Sequence, residues 1–224
     1  LLFVVDSSES MNDGSKWSSG ALAIVSAIDQ PTFDTMSIGL LATPNGTVTG
    51  PACVYGFPVG CGNPGLPQVA IKPAGKEKST DSTGVRSEIY KWLSGNSPKA
   101  GFDGTPLYAG IQSAYGAIRL SAATAKRLVV VITDGYASCT SLSKPARASY
   151  TDINGCPDWE DPNNLVKLLK DAHDDAAAPV LTFIVGVPGS DGDGSDPNSM
   201  GPYHSLRALS AYAKAGAPEA VDPD

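Results

Sequence analysis

Oxygen-bearing side chains recur at three places where this chain leaves or enters an apolar run. The first is Asp6-Ser7-Ser8-Glu9-Ser10, directly after Leu1-Leu2-Phe3-Val4-Val5. Alternate residues Asp6, Ser8 and Ser10 can turn toward one point in a tight loop, offering a carboxylate and two hydroxyls to a small hard cation. The second is Asp134-Gly135, directly after Leu128-Val129-Val130-Val131-Ile132-Thr133. The third is Thr105, set between Gly104 and Pro106. Proline is favoured in the first turn of a helix, and Leu107, Ile111, Ala114, Tyr115 and Ile118 mark the apolar face of one. Thr105 therefore reads as the helix start, its hydroxyl left to cap the helix or to bind. Each segment also has a plain reading. Ser8 and Ser10 would cap a helix beginning near Ser15, Thr105 would be another cap, and Asp134-Gly135 an ordinary turn. Taken together, in this order and at the proper ends of their elements, they favour a cation site.

The elements that must position these groups follow from periodicity. Leu1–Val5 and Leu128–Thr133 are short, apolar on both faces and rich in branched residues, as buried parallel strands are. If the two strands are neighbours, Asp6 and Asp134 share the crevice at the carboxyl edge of an open α/β sheet. Trp17, Ala21, Ile24, Val25 and Ile28 predict a helix, and Met36 to Ala42 a strand. Asn45-Gly46 is a hairpin signal leading into Val48, which predicts an antiparallel edge strand there. The same Asn45-Gly46-Thr47 is formally a glycosylation sequon, but a turn explains it better. Residues 50–80 form a proline-rich loop insertion carrying Tyr55 and Phe57, placed to meet a partner or to fold back on the sheet edge. Val85, Ile89, Trp92 and Leu93 predict a helix, and residues 136–160 a second loop insertion. Leu165, Leu168, Leu169 and Ala172 predict another helix, Val180 to Val187 a further buried strand, and His204 opens a last helix containing Leu206. The alternation predicts an α/β fold in one domain, 1–224: a doubly wound, Rossmann-like, mostly parallel sheet with one antiparallel edge strand and helices on both faces.

Asp6-x-Ser8-x-Ser10, Thr105 before Pro106 and Asp134-Gly135 resemble, in order and spacing, the metal-ion-dependent adhesion site of von Willebrand factor A domains. The resemblance runs from Leu1 to about the helix containing Leu206. It implies that Ser8, Ser10 and Thr105 are inner ligands and that Asp6 and Asp134 bind directly or through water. It also implies a coordination position left for an Asp or Glu of a protein partner. Magnesium suits such a donor set, with calcium or manganese as alternatives. Glu9 departs from the small residue often found at its position in the family. The family places a last strand and helix where Ala220–Asp224 stands, and the chain opens within its first strand, so a fragment of a longer protein is expected.

With 224 residues, 42% of them hydrophobic, the chain suits one domain with a sizeable core. A formal charge of −7 and no basic cluster argue against nucleic acid or an anionic membrane surface as partner. No stretch approaches the roughly 20 apolar residues that span a bilayer, and no G-x-G-x-x-G supports a nucleotide. Cys53, Cys61, Cys139 and Cys156 lie in Gly/Pro/Ser-rich segments and fit no C-x-x-C spacing. The pairs Cys53–Cys61 and Cys139–Cys156 would each close one loop. Other pairings, and four free thiols, stay open. Oxidised loops would imply an extracellular, periplasmic or cell-surface location, and a cysteine shortly after Thr133-Asp134-Gly135 resembles secreted bacterial members of the family. Asp191-Gly192-Asp193-Gly194-Ser195-Asp196 reads as an acidic surface loop, with calcium binding by Asp191, Asp193 and Asp196 as the alternative. The expected function is an extracellular adhesion or ligand-binding module rather than an enzyme. One alternative is a structural domain of a surface assembly with an unused site. The other is a metal-dependent hydrolase, which has little support: His173, read as mid-helix, and His204 adjoin no ligand segment, and no G-x-S-x-G nucleophile elbow is present.

Overall fold

A run such as Leu2-Phe3-Val4-Val5 is satisfied only in the middle of a sheet covered on both faces, and that is where it lies. The computed structural model describes residues 1–45, 66–98, 105–122, 126–135, 162–187 and 205–220. Among them, β1 (Leu2–Asp6), β2 (Ser37–Thr43), β3 (Val69–Pro73), β4 (Arg127–Thr133) and β5 (Val180–Gly186) form one sheet in the order β3-β2-β1-β4-β5. β1 pairs in parallel with both β2 and β4, β4 in parallel with β5, and β2 antiparallel with β3. This is the predicted doubly wound, mostly parallel architecture with one antiparallel edge strand.

Side chains of β1 alternate between two cores. Leu2 and Val4 pack with α3 (Leu107–Leu120), α4 (Pro162–His173) and α5 (Ser205–Gly216), while Phe3 and Val5 pack with α1 (Lys16–Ile28) and α2 (Val85–Gly95). The predicted stripes are the buried ones: Ile24 and Ile28 on α1, Ile89 and Leu93 on α2, Leu107, Ile111, Ala114, Tyr115 and Ile118 on α3. Edge-to-face packing of Trp17 on Trp92, with ring centres 6.3 Å apart, fixes α1 against α2.

Three local expectations are corrected. The segment 50–80, read as a loop insertion, contains the antiparallel edge strand Val69–Pro73, and the strand expected at Val48 lies outside the described residues. The alternation of Val69–Pro73 explains the pairing: Val69 is buried, Ala70 and Lys72 exposed, and Pro73 closes it. Val180–Gly186 is not uniformly buried. Among the described residues it is the other edge of the sheet, and Val185 is 44% exposed. His173 is the last residue of α4 rather than mid-helix. It meets Asp174 through Nδ1 at 2.7 Å and Glu219 through Nε2 at 3.2 Å, and its pKa is raised chiefly by the hydrogen bond with Asp174. Because β5 starts just beyond it, His173 stands at the edge where the strands begin, away from Asp6 and Asp134.

The chain runs from β1 to β2 and β3 on one side, then crosses to β4 and β5 on the other. The connection direction therefore reverses between β1 and β4, and the carboxyl ends of those two strands open the crevice typical of such a switch point.

Candidate metal centre

Asp6 ends β1 in that crevice, fully buried. Both of its carboxylate oxygens are held. Oδ1 accepts the backbone N–H of Ser8 at 2.9 Å, and Oδ2 accepts the hydroxyl of Thr133 at 2.6 Å. The bond to the amide two residues on is an Asx-type turn, and it swings the chain into a short 3₁₀ turn, Glu9–Asn12. Ser8 stands at the cap position of that turn but makes no side-chain capping bond. Its Oγ lies 3.1 Å from Ser10 Oγ, and the Ser10 hydroxyl donates to Asp134 Oδ1 at 3.0 Å. A hydroxyl has one proton to give, so Ser8 is the donor to Ser10. The capping reading of Ser8 and Ser10 is thereby displaced: their hydroxyls face Asp134 instead.

Asp134 follows β4 with its side chain 4% exposed. Its second oxygen, Oδ2, accepts Lys16 Nζ at 2.8 Å, and the same ammonium reaches the Ser10 carbonyl at 3.3 Å. Four of the five groups singled out by spacing thus form one connected cluster. The fifth, Thr105, is 5% exposed and precedes Pro106, the cap residue of α3. That places it one residue ahead of the cap position expected for it. The Pro106 carbonyl accepts the Thr43 hydroxyl at 3.4 Å, and Thr43 is the register partner of Asp6. The start of α3 therefore sits beside the cluster. Two further bonds brace the first loop and the start of α1 against the segment before Thr105: Asn12 Nδ2 to the Pro98 carbonyl at 3.0 Å, and Trp17 Nε1 to the Asn96 carbonyl at 3.1 Å.

Electrostatically the cluster is short of positive charge. The Asp6 carboxyl is pushed up to about 6 by burial and by the neighbouring Asp134 charge, against the lowering effect of its bonds from Thr133 and Ser8. The donor set fits a hard dication. It holds hydroxyl and carboxylate oxygens and no soft ligand, and the O···O separations of 3.1 and 3.0 Å match the edge of about 2.9 Å in an octahedron with 2.0–2.1 Å bonds. Among the described residues no group of three or more His, Cys, Asp or Glu gathers as an alternative metal site.

Sequence spacing missed two residues of the cluster. Thr133 supports Asp6 from the adjacent strand, and Lys16 reaches Asp134 from the start of α1. Their only signals were a hydroxyl closing an apolar strand and a lone cation after an acidic, serine-rich loop. Cys53, Cys61, Cys139, Cys156, Tyr55, Phe57, Asp191, Asp193, Asp196 and His204 lie outside the described residues, as does the sequon beyond Asn45. No helix among the described residues is long and apolar enough to cross a membrane.

No protein-family model matches the chain, and no curated protein matches it. Solved structures do. The conserved hypothetical protein BatB from Bacteroides thetaiotaomicron aligns with a TM-score of 0.52 and 15% identity over 96% of this chain and 85% of that one. The open conformation of the pilus adhesin SpaC from Lactobacillus rhamnosus GG aligns with a TM-score of 0.55 and 15% identity over 96% of this chain and 26% of that one. The chain thus spans about a quarter of that adhesin. At such identity the likeness concerns the fold alone, the doubly wound α/β arrangement described above.

Proposed function

We propose that this chain is a surface-located or secreted adhesion module that uses a divalent cation, magnesium first, to hold an acidic side chain of a protein partner. The observation that carries the proposal is the continuous Ser8–Ser10–Asp134 hydrogen-bond chain beside the buried Asp6 carboxylate, at the switch point of the sheet. Asp6, Ser8, Ser10, Thr105 and Asp134 would hold the metal. The metal would supply a Lewis-acidic position open to an incoming carboxylate. Neutral hydroxyls and only two carboxylates leave it able to accept a further anion, and the positive end of α3 points the same way. The likeness to a pilus adhesin agrees with this class of function and with a location outside the cytoplasm.

Calorimetric titration of the purified chain with magnesium chloride tests the site directly. Saturable binding that EDTA reverses and that Asp6→Ala and Ser8→Ala abolish is the expected result; equal binding by those variants sinks the reading. A structural role with an unused site would leave partner binding insensitive to chelator. A hydrolase would turn substrate over, which a turnover assay distinguishes from binding alone.

A further inference from the structure

The cluster at the crevice contains one charged group that no ligand scheme requires. Lys16 opens α1, and its ammonium sits 2.8 Å from Asp134 Oδ2 and 3.3 Å from the Ser10 carbonyl, with its side chain only 18% exposed. Asp13 Oδ2 lies 3.8 Å away but on a side chain 76% exposed, so water screens it and Lys16 remains chiefly the partner of Asp134. The two oxygens of Asp134 are thereby divided. Oδ1 faces Ser10 and Ser8, and Oδ2 is bound to a fixed positive charge.

We infer that Lys16 is a specificity-determining residue that sets the charge of the loaded site, weakening its grip on the metal in exchange for a stronger pull on an acidic ligand. The inference rests on the metal-site reading above and deepens it. Two ligating carboxylates alone would neutralise a bound dication. With Lys16 held against one of them, the metal, Asp6, Asp134 and Lys16 together carry a net charge of +1. A dication entering beside an ammonium is repelled, and even at the dielectric constant of water a separation of about 5 Å costs roughly tenfold in affinity. A carboxylate arriving afterwards meets a positive site instead of a neutral one. Removing the ammonium does not release Asp134, because the Ser10 hydroxyl still holds Oδ1, so the charge effect governs the sign.

The test compares wild type, K16M and K16R. K16M keeps the length and apolar stem of the side chain, and K16R keeps the charge; circular dichroism establishes that all three fold. Magnesium affinity is measured by calorimetry. Carboxylate affinity is measured with sodium acetate as the probe, through water-proton relaxation of the manganese-loaded chain. The expected result is magnesium binding at least about fivefold tighter in K16M and acetate binding weaker, with K16R within about twofold of wild type for both. Magnesium affinity unchanged or reduced in K16M, acetate binding unaffected, or a gain in K16R equal to that in K16M overturns the inference while leaving the metal site standing. Absence of metal binding in all three proteins brings down the site and the inference together.

Discussion

Asp6 is the residue on which most of the site chemistry converges, and its burial makes a pH prediction with a definite sign. Its carboxyl group is pushed up to about 6 in the folded chain, from an ordinary value of 3.8. Between those two values the folded chain keeps a proton that the unfolded chain has lost. The stability contributed by this group is therefore complete below about pH 4 and is lost as pH rises through 6. The rise from 3.8 to about 6 corresponds to about 3 kcal/mol. Asp6→Asn removes the titration, so without metal the variant should gain on wild type in denaturant midpoint as pH rises from 4 to 7. Parallel stability curves would contradict a buried, ionisable Asp6. Magnesium takes the ionised form, so its protection of wild type should be larger at pH 7 than at pH 5. At this scale the spacing of Asp6, Ser8, Ser10 and Asp134 was enough to single them out, because each follows its strand within a few residues. Thr133 and Lys16 were not legible. Their roles depend on β4 lying beside β1 and on where α1 begins, neither of which is a local property.

Two glycines on α3 show how a helix is set against the sheet so that its start meets the site. A Cβ on Gly110 would stand 2.7 Å from Cγ2 and 3.0 Å from Cβ of Thr43, which is itself fully buried opposite Asp6. A Cβ on Gly116, nearer the carboxyl end of the helix, would meet nothing within 4 Å. The same substitution should therefore have opposite signs at the two positions. Gly110→Ala forces α3 off the end of β2 and is expected to cost about 1–3 kcal/mol and to weaken magnesium binding, since Thr105 and Pro106 ride on that helix. Gly116→Ala gains helix propensity and should stabilise by about 0.5–1 kcal/mol with metal binding unchanged. Thermal denaturation and magnesium calorimetry on both variants check this, and equal effects would show that the close approach at Gly110 does not set the helix position. The sequence announced α1, α2 and α3 through their apolar stripes, because helical periodicity is a local signal. It did not single out Val69–Pro73 as the antiparallel edge strand, because Asn45-Gly46 marks a turn without saying which later segments return to pair. The Val69-Ala70-Ile71-Lys72 alternation carried that answer, but it lay inside a proline-rich stretch read as loop.

On the scale of the whole molecule, the fold and the net charge of −7 act on a dication in different ways, and the difference can be measured. The fold gathers loops from β1, β4 and the start of α3 at the switch point, a convergence that exists only in the native state. A metal bound there stabilises the chain by mass action, about 2.7 kcal/mol at a hundredfold excess over Kd. For a chain of this length that corresponds to a rise of about 5–10 °C in Tm. Excess negative charge also responds to salt, since any cation screens the self-repulsion of an acidic surface. Screening depends on ionic strength, grows gradually and does not need Ser10 or Asp134. Site binding saturates, needs both, and distinguishes magnesium from sodium at equal ionic strength. Thermal scans in magnesium chloride and in sodium chloride at matched ionic strength should therefore diverge for wild type by several degrees and coincide for Asp134→Ala. Coincident curves for wild type would mean that magnesium acts only on the surface charge, and the convergence of loops would then have to be explained by packing alone.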